Sequence, residues 1–282
     1  MEAIILGKKV VGRKETLEYA AQKYRWQNVV IGISAFFGVW AWVIGRLTGR
    51  KVIYYCIDFY SPEIAFTLWD KVFIPLAMLM DKFLVEHCDE VWDISERINE
   101  GRREFGKYRA KNSRIVPLGY PPDYFRFVPK KGIVGVNKPI MICYVGLNPY
   151  GLELLEGIEG IKLIWPGGNK RIPLKQLLDE VSRADIGISL WKHKGNNYYG
   201  DPGKTKLYSA CRLPVIMTNN TPYAKIIKET NAGLVIPYNK KALINAIETI
   251  KKDYNFYKNN VKDTWEYINA DELFSNFKVL GS

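Results

Sequence analysis

The strongest constraint on the fold is an alternation that runs along almost the whole chain. NVVIGIS (28–34) is β-branched and strand-like, and it leads into the helix-like AFFGVWAWVIGRL. KVIYYCID (51–58) follows, then a long helical region from about Pro62 to His87. DEVWDIS, a short helix to about Phe105 and SRIVPLGY continue the order. Strand–helix–strand repetition implies a parallel sheet covered by helices, because parallel neighbours need a crossover connection.

The order breaks once. FVPKKGIVGVNKP, from Phe127 to Pro139, is rich in Lys, Gly and Pro and reads as an interdomain linker. Then IMICYVG, IKLIWPGG, DIGISLW, PVIMT and GLVIP recur as strands, with helices near Leu152–Gly157, Leu174–Ala184, after Pro222 and up to Ile250. The chain therefore reads as two doubly wound α/β domains, residues 1–128 and 138–254. A helical, aromatic tail (255–282) is expected to cross back to the first domain. Ligands of such sheets bind at the carboxyl ends of the strands, and with two domains the expected site is the cleft between them.

Composition narrows the partners. The 282 residues carry 41 Lys+Arg against 29 Asp+Glu, a formal net charge of +12. That surplus suits polyanions: nucleic acid, anionic lipid or phosphorylated ligands. The lysines are dispersed, and no RNA-binding motif or clustered basic helix is present, so nucleic acid is not expected as a partner. Cys56, Cys88, Cys143 and Cys211 lack metal spacing and read as free thiols of a reducing cytoplasm. Two histidines are too few for a histidine metal cluster. Residues 28–45 carry no charge, but the run falls short of the roughly 20 residues a membrane span needs. It contains Ser34 and splits naturally into a strand and a helix.

The chemistry concentrates in YYGDPGKTKLYSACRLPVIMT (198–218). Its Gly-Lys-Thr is not a P-loop, because Tyr198 stands where the first glycine of GxxxxGK[ST] belongs. It reads instead as a helix start between two strands. Asp201 is a good N-cap, Pro202 suits the first helical position, and Gly203 permits close approach. Lys204 and Thr205 then lie in the first turn, where free N–H groups, the helix dipole and a full charge can hold phosphate. The other reading of the segment is a helix-start signal only, with Lys204 solvated.

This stretch resembles the C-terminal half of GT-B glycosyltransferases of the family 4-like type that build bacterial polysaccharides. The resemblance rests on a P-x-K-x-x-x-Y-x-A-x-x-x-P-V pattern, met by Pro202, Lys204, Tyr208, Ala210, Pro214 and Val215. KPIMICYVGLNPYGLELL, with its glycine turn at Gly146, is similar to the family's first C-domain strand. IKLIWPGG, with Gly167 and Gly168, RADIGISL and NAGLVIPYNKKALINAIETI are similar to later elements in the right order. Upstream, KVIYYCIDFYSPE, CDEVWDISERINEGRREFG and RIVPLGYPPDYF are similar to the later N-domain, so the likeness covers roughly residues 28–270.

The resemblance implies a transferase that takes a nucleotide-sugar as substrate, needs no separate cofactor, and acts on a glycan or lipid-linked acceptor. It would lie in the cytoplasm, peripheral to the inner face of the membrane. It implies donor contacts from Gly146, Gly168, Pro202, Gly203, Lys204, Thr205 and Tyr208. The absence of any Asp-x-Asp fits metal-independent chemistry, with helix dipole and cations offsetting the leaving phosphate. Asp58, in DFYSP, faces the acceptor side as a base or acceptor orienter, or else is a turn residue capping the next helix. Ser95 reads as an N-cap and His193 as polar lining.

The pattern departs from the family at four places. Leu207 stands where retaining members carry a glutamate, Tyr199 and Gly200 stand where an earlier acidic residue of the same loop belongs, Arg212 replaces a glycine, and only about 25 residues precede the first clear strand, so the N-domain looks abbreviated. These departures leave a second reading open, a non-catalytic subunit that binds nucleotide-sugar or a partner. Finally, IAFTLWDKVFIPLAMLMDKFLVEH (64–87) reads as a long helix buried against the N-domain sheet, with a place in the lipid headgroup interface as the other reading.

Overall fold

The computed structural model describes residues 1–7, 13–64, 67–111, 113–126, 138–192, 196–201 and 203–275. The chain divides into two compact units. One comprises Met1–Pro121, Gly195–Asp201 and Asn269–Ser282; the other comprises Pro122–Lys194 and Pro202–Ile268.

The first unit begins β1 (Ile4–Leu6), α1 (Arg13–Lys23), β2 (Val29–Ile33), α2 (Ser34–Thr48) and β3 (Lys51–Cys56). It continues with α3 (Leu68–His87), β4 (Glu90–Asp93), α4 (Arg97–Gly101), a π-helical turn at Arg102–Gly106, and β5 (Ser113–Ile115). All five strands are parallel and lie side by side in chain order, β1-β2-β3-β4-β5. The expected parallel α/β sheet is present, but its winding never reverses, so this unit has no switch between strands. The opening 25 residues, in which no element is evident from the sequence, supply β1 and α1. The uncharged run at 28–45 splits into β2 and α2, and among the described residues no helix is long and apolar enough to cross a membrane.

Every residue of β2 is buried, which is why its sequence is a continuous apolar run rather than an alternating one. Burying each of its Val and Ile side chains stabilises the unit by roughly 1.5–3 kcal/mol before conformational entropy is counted. Gly32 lets α2 fold back tightly on this strand, since a Cβ there would lie 2.5 Å from the Gly38 Cα. The turn itself is sharp: Ser34 leaves β2 with φ 71°, a left-handed conformation uncommon outside glycine. Trp26 packs edge-on against Trp92 at 5.8 Å.

The second unit contains β6 (Ile140–Cys143), β7 (Ile161–Ile164), α5 (Leu174–Val181) and β8 (Ile186–Ser189). The chain then gives α6 (Asn196–Tyr199) to the first unit before α7 (Gly203–Ala210), β9 (Val215–Thr218), α8 (Tyr223–Glu229), β10 (Gly233–Ile236), α9 (Lys240–Lys252) and α10 (Tyr254–Asn260). The last helix, α11 (Ala270–Phe274), belongs to the first unit, where Phe274 packs on Trp26 at 5.5 Å. The strand order is β10-β9-β8-β6-β7, all parallel. Here the winding does reverse, with β7 on one side of β6 and β8 on the other. α9 seals one face with Leu243, Ala246, Ile247 and Ile250, the spacing of a single helical stripe.

Two local expectations are corrected. Ser95 does not cap α4; its hydroxyl donates to the Tyr199 carbonyl, tying α6 to the first unit, and the α4 N-cap position is Glu96 with no side-chain cap bond. The segment 64–87 is not buried along its apolar face. Ile74, Ala77, Asp81 and Leu84 of α3 are buried, and Met78, Met80, Phe83 and Val85 pack partly buried against the core, while Leu68, Trp69, Val72, Leu76 and Leu79 face solvent. The one charge on the inward side, Asp81, has partners there. Its carboxylate takes both Arg102 Nε (2.8 Å) and Nη2 (3.0 Å), with Tyr54 and Tyr108 hydroxyls at 2.7 Å each.

Candidate functional site

A sheet whose winding reverses opens a crevice where neighbouring strands send their connections to opposite faces. In the second unit that crevice lies beyond the carboxyl ends of β6 and β8. Tyr144 follows β6 there, and Leu190 and Trp191 follow β8. The first turn of α7 enters the same place.

Lys204 is the feature that defines it. Its ammonium nitrogen sits 4.3 Å from the centre of the Tyr144 ring and 4.2 Å from that of Trp191. It is buried and has no hydrogen-bond partner among the described residues. A desolvated cation–π contact is worth about 2 kcal/mol, while desolvating an ammonium costs several. Burial wins: it lowers the Lys204 pKa to about 7. Tyr144 supplies no compensating charge, because burial raises its own pKa to about 12. One residue on, Thr205 is fully buried and its hydroxyl also lacks a partner among the described residues. Around both, the first-turn N–H groups of α7 have no carbonyl within the helix to bind. The first turn of α7 thus carries a cation and a buried hydroxyl, neither with a hydrogen-bond partner among the described residues.

The other expected donor residues lie on the elements that follow. Gly203 opens α7, and Pro202 lies outside the described residues, as does His193. Tyr208 is fully buried one turn further in. Its hydroxyl accepts from the Val145 N–H at 2.7 Å and donates to the Ile188 carbonyl at 3.2 Å, so it ties the loop after β6 to strand β8. Gly146 follows directly, and its carbonyl accepts from Trp165 Nε1 at 2.7 Å. A Cβ on Gly146 would come within 2.9 Å of the Tyr144 hydroxyl that shapes the cage. Gly168 sits in the turn after β7 with φ 56° and open space where a side chain would be; its neighbour Gly167 has φ 67° and no such room, since a Cβ there would lie 2.5 Å from the Lys170 carbonyl oxygen.

A cavity of about 330 Å³ adjoins Trp191. Thr218, Asn220, Ile236 and Tyr238 line it, at the carboxyl ends of β9 and β10. Asn220 holds the Trp191 carbonyl at 3.0 Å, and Thr218 Oγ1 accepts its N–H at 3.0 Å, so Trp191 is fixed from the cavity side as well.

Asp58 lies in the first unit, two residues beyond β3, and is half-buried. It is not the cap of the long helix after it. Thr67 caps α3, its hydroxyl accepting the Asp70 N–H at 3.1 Å while the Asp70 carboxylate accepts the Thr67 N–H at 2.8 Å. Asp201, expected as an N-cap, accepts the Leu118 N–H at 2.9 Å. Among the described residues no three His, Cys, Asp or Glu side chains group as metal ligands. Tyr144 and Trp191 are the site residues that sequence reasoning missed. The available signal was their position, each an aromatic placed just past an apolar strand.

No family model and no curated protein matches the chain. Solved structures do. Anabaena Alr3699/HepE in complex with UDP and glucose aligns over 92% of this chain and 78% of its own, with a TM-score of 0.65 and 11% identity. The sucrose-phosphate synthase (tll1590) of Thermosynechococcus elongatus aligns over 93% and 75%, at 0.66 and 14%. WaaG, a glycosyltransferase involved in lipopolysaccharide biosynthesis, aligns over 98% and 97%, at 0.55 and 13%. With its two parallel five-stranded α/β sheets, the chain has the fold of the GT-B glycosyltransferases.

Proposed function

We propose that the protein is a glycosyltransferase, moving a hexosyl-type sugar from a nucleotide-sugar donor to a glycan or lipid-linked acceptor. It works without a metal ion or separate cofactor, from the cytoplasm, at the inner face of the membrane, in polysaccharide biosynthesis. The observation that carries this reading is the buried, unpartnered ammonium of Lys204 at the N-terminus of α7. A pyrophosphate there would receive the lysine, the Thr205 hydroxyl and first-turn N–H groups. As the sugar leaves, negative charge grows on the phosphate, and these fixed donors stabilise it without reorganising. The cavity past Trp191 has room for the donor's nucleoside, and Gly146 and Gly168 leave space beside the strand ends. Asp58 takes the acceptor side, as base or orienter of the attacking hydroxyl. That HepE was solved with UDP makes UDP the first nucleotide to test.

Lys204 makes that test specific. Bound phosphate favours the ammonium form, so binding above pH 7 must take up a proton. Affinity for UDP is expected to fall by up to about tenfold per pH unit above 7. Calorimetric titration at pH 7 and pH 8.5 measures it. Equal affinity at both would remove Lys204 from the phosphate.

A second reading has one observation behind it. Leu207, where a ribose-binding glutamate is expected, is buried and apolar. A subunit that holds nucleotide-sugar without transferring it would show UDP binding but no sugar transfer or donor hydrolysis.

A further inference from the structure

α3 is apolar on both sides. Its inward side packs Ile74, Ala77 and Leu84 and carries one charge, Asp81 held by Arg102, while its outward side bears a stripe of exposed apolar residues. Leu68, Val72, Leu76 and Leu79 recur at helical spacing on that outward side, with Trp69 beside them; Leu68 and Trp69 are 80% and 82% exposed. Surface helices ordinarily turn a polar face to solvent. The neighbouring α2, in contact through Trp42 and Phe83 at 5.0 Å, repeats the exposed apolar pattern: Phe36, Trp40 and Leu47 point outward from one side. Single exposed apolar residues need no explanation, but grouped ones with several aromatics mark a binding surface.

Charge selects the occupant. Lys71 and Lys82 are exposed and, at about 100° per residue, fall together along one border of the α3 stripe. Arg46 is exposed on α2. The acidic groups of the α3 surface are Asp70, engaged in the helix cap, and Glu86 in the last turn. We propose that the outward faces of α2 and α3 dock the protein on a bilayer containing anionic lipid. Aromatic and aliphatic side chains would enter the headgroup boundary while the lysine stems lie along them and keep their ammonium groups among the phosphates. A second copy on the same face is an outcome that the test separates from lipid. The chain's net charge of +12 points the same way.

This deepens the reading of an enzyme at the membrane, and its test is separate from donor binding. The full chain is sedimented with vesicles of phosphatidylcholine alone and with phosphatidylglycerol added. Binding should be at least tenfold stronger to the anionic vesicles. Trp69→Glu combined with Leu76→Glu should weaken it tenfold or more, and Lys71→Glu with Lys82→Glu should weaken it on anionic vesicles. Both variants replace exposed side chains and should keep the wild-type melting temperature and its shift with UDP. Absence of wild-type binding, or undiminished binding by the Trp69/Leu76 variant, overturns the proposal. So does a wild-type dimer that this variant splits, in a protein that ignores vesicles. Vesicle binding without any UDP shift supports the docking surface and counts only against the donor site.

Discussion

Lys204→Met should make the ligand-free protein more stable and stop it binding nucleotide. The two effects have one cause. In the wild type an ammonium is held between Tyr144 and Trp191 with no hydrogen-bond partner among the described residues, and burial lowers its pKa to about 7. An unfolded lysine titrates near 10.4, so around neutral pH the unfolded chain keeps a proton that the folded chain partly releases. The sign follows: wild-type stability rises with pH between about 7 and 10.4, and the folded state is penalised below that window. Methionine has similar length, no charge, and a sulfur that packs well on aromatic rings. We expect a gain of roughly 2–4 kcal/mol at pH 7, shrinking toward pH 10. At a few degrees per kcal/mol, the melting temperature should rise by about 5–10 °C. UDP affinity should fall about a hundredfold, the scale of one charge-assisted contact of 2–3 kcal/mol. Differential scanning calorimetry with and without UDP reads both. A variant that melts lower and still binds would mean that Lys204 is ordinary packing.

Much of the architecture could be read from periodicity, and the failures have physical reasons. β2, β3, β6 and β8 are short apolar runs bounded by helices or turns, and the alternation places them. β1 and α1 escaped notice because a three-residue strand and the charged RKETLEYAAQK carry little periodic signal. The single-direction winding of the first sheet was not legible, since strand order is decided by which crossovers pack and not by the strands' own residues. In the site, Lys204 and Thr205 were placed by helix-start chemistry that acts locally: Asp, Pro, then Gly. Tyr144 and Trp191 were not, because an aromatic ending an apolar strand looks the same whether it fills the core or cages a cation. α3 was misread for a related reason. An apolar helix suggests burial on every side, and it takes the tertiary partners of Ile74, Ala77, Asp81 and Leu84 to show which side faces in.

Those partners give the largest expected loss of stability. Arg102→Ala should destabilise the protein by about 3–5 kcal/mol at pH 7, the usual effect of removing one member of a buried ion pair. Arg102 is fully buried and binds Asp81 with two nitrogens and Asp93 with a third, the last at 2.9 Å. Burial alone would raise both carboxyl pKa values. At Asp81 the guanidinium and the Tyr54 and Tyr108 hydroxyls outweigh it and hold the value below the usual range. At Asp93 burial prevails even with Arg102 beside it, and the pKa rises to about 6. Remove the arginine and both carboxylates lose their main compensation, so both must climb well above the unfolded value near 3.9. The folded variant then binds more protons than the unfolded chain between about pH 4 and the raised values. Its stability must therefore fall as pH rises through that window, and the variant should be relatively better off at pH 5 than at pH 7. Urea unfolding at the two pH values tests the claim, with Arg102→Lys as a partial rescue that keeps the charge but loses the two-pronged grip on Asp81. A loss below 1 kcal/mol, or one equal at both pH values, would mean that the arginine does not hold the two aspartates.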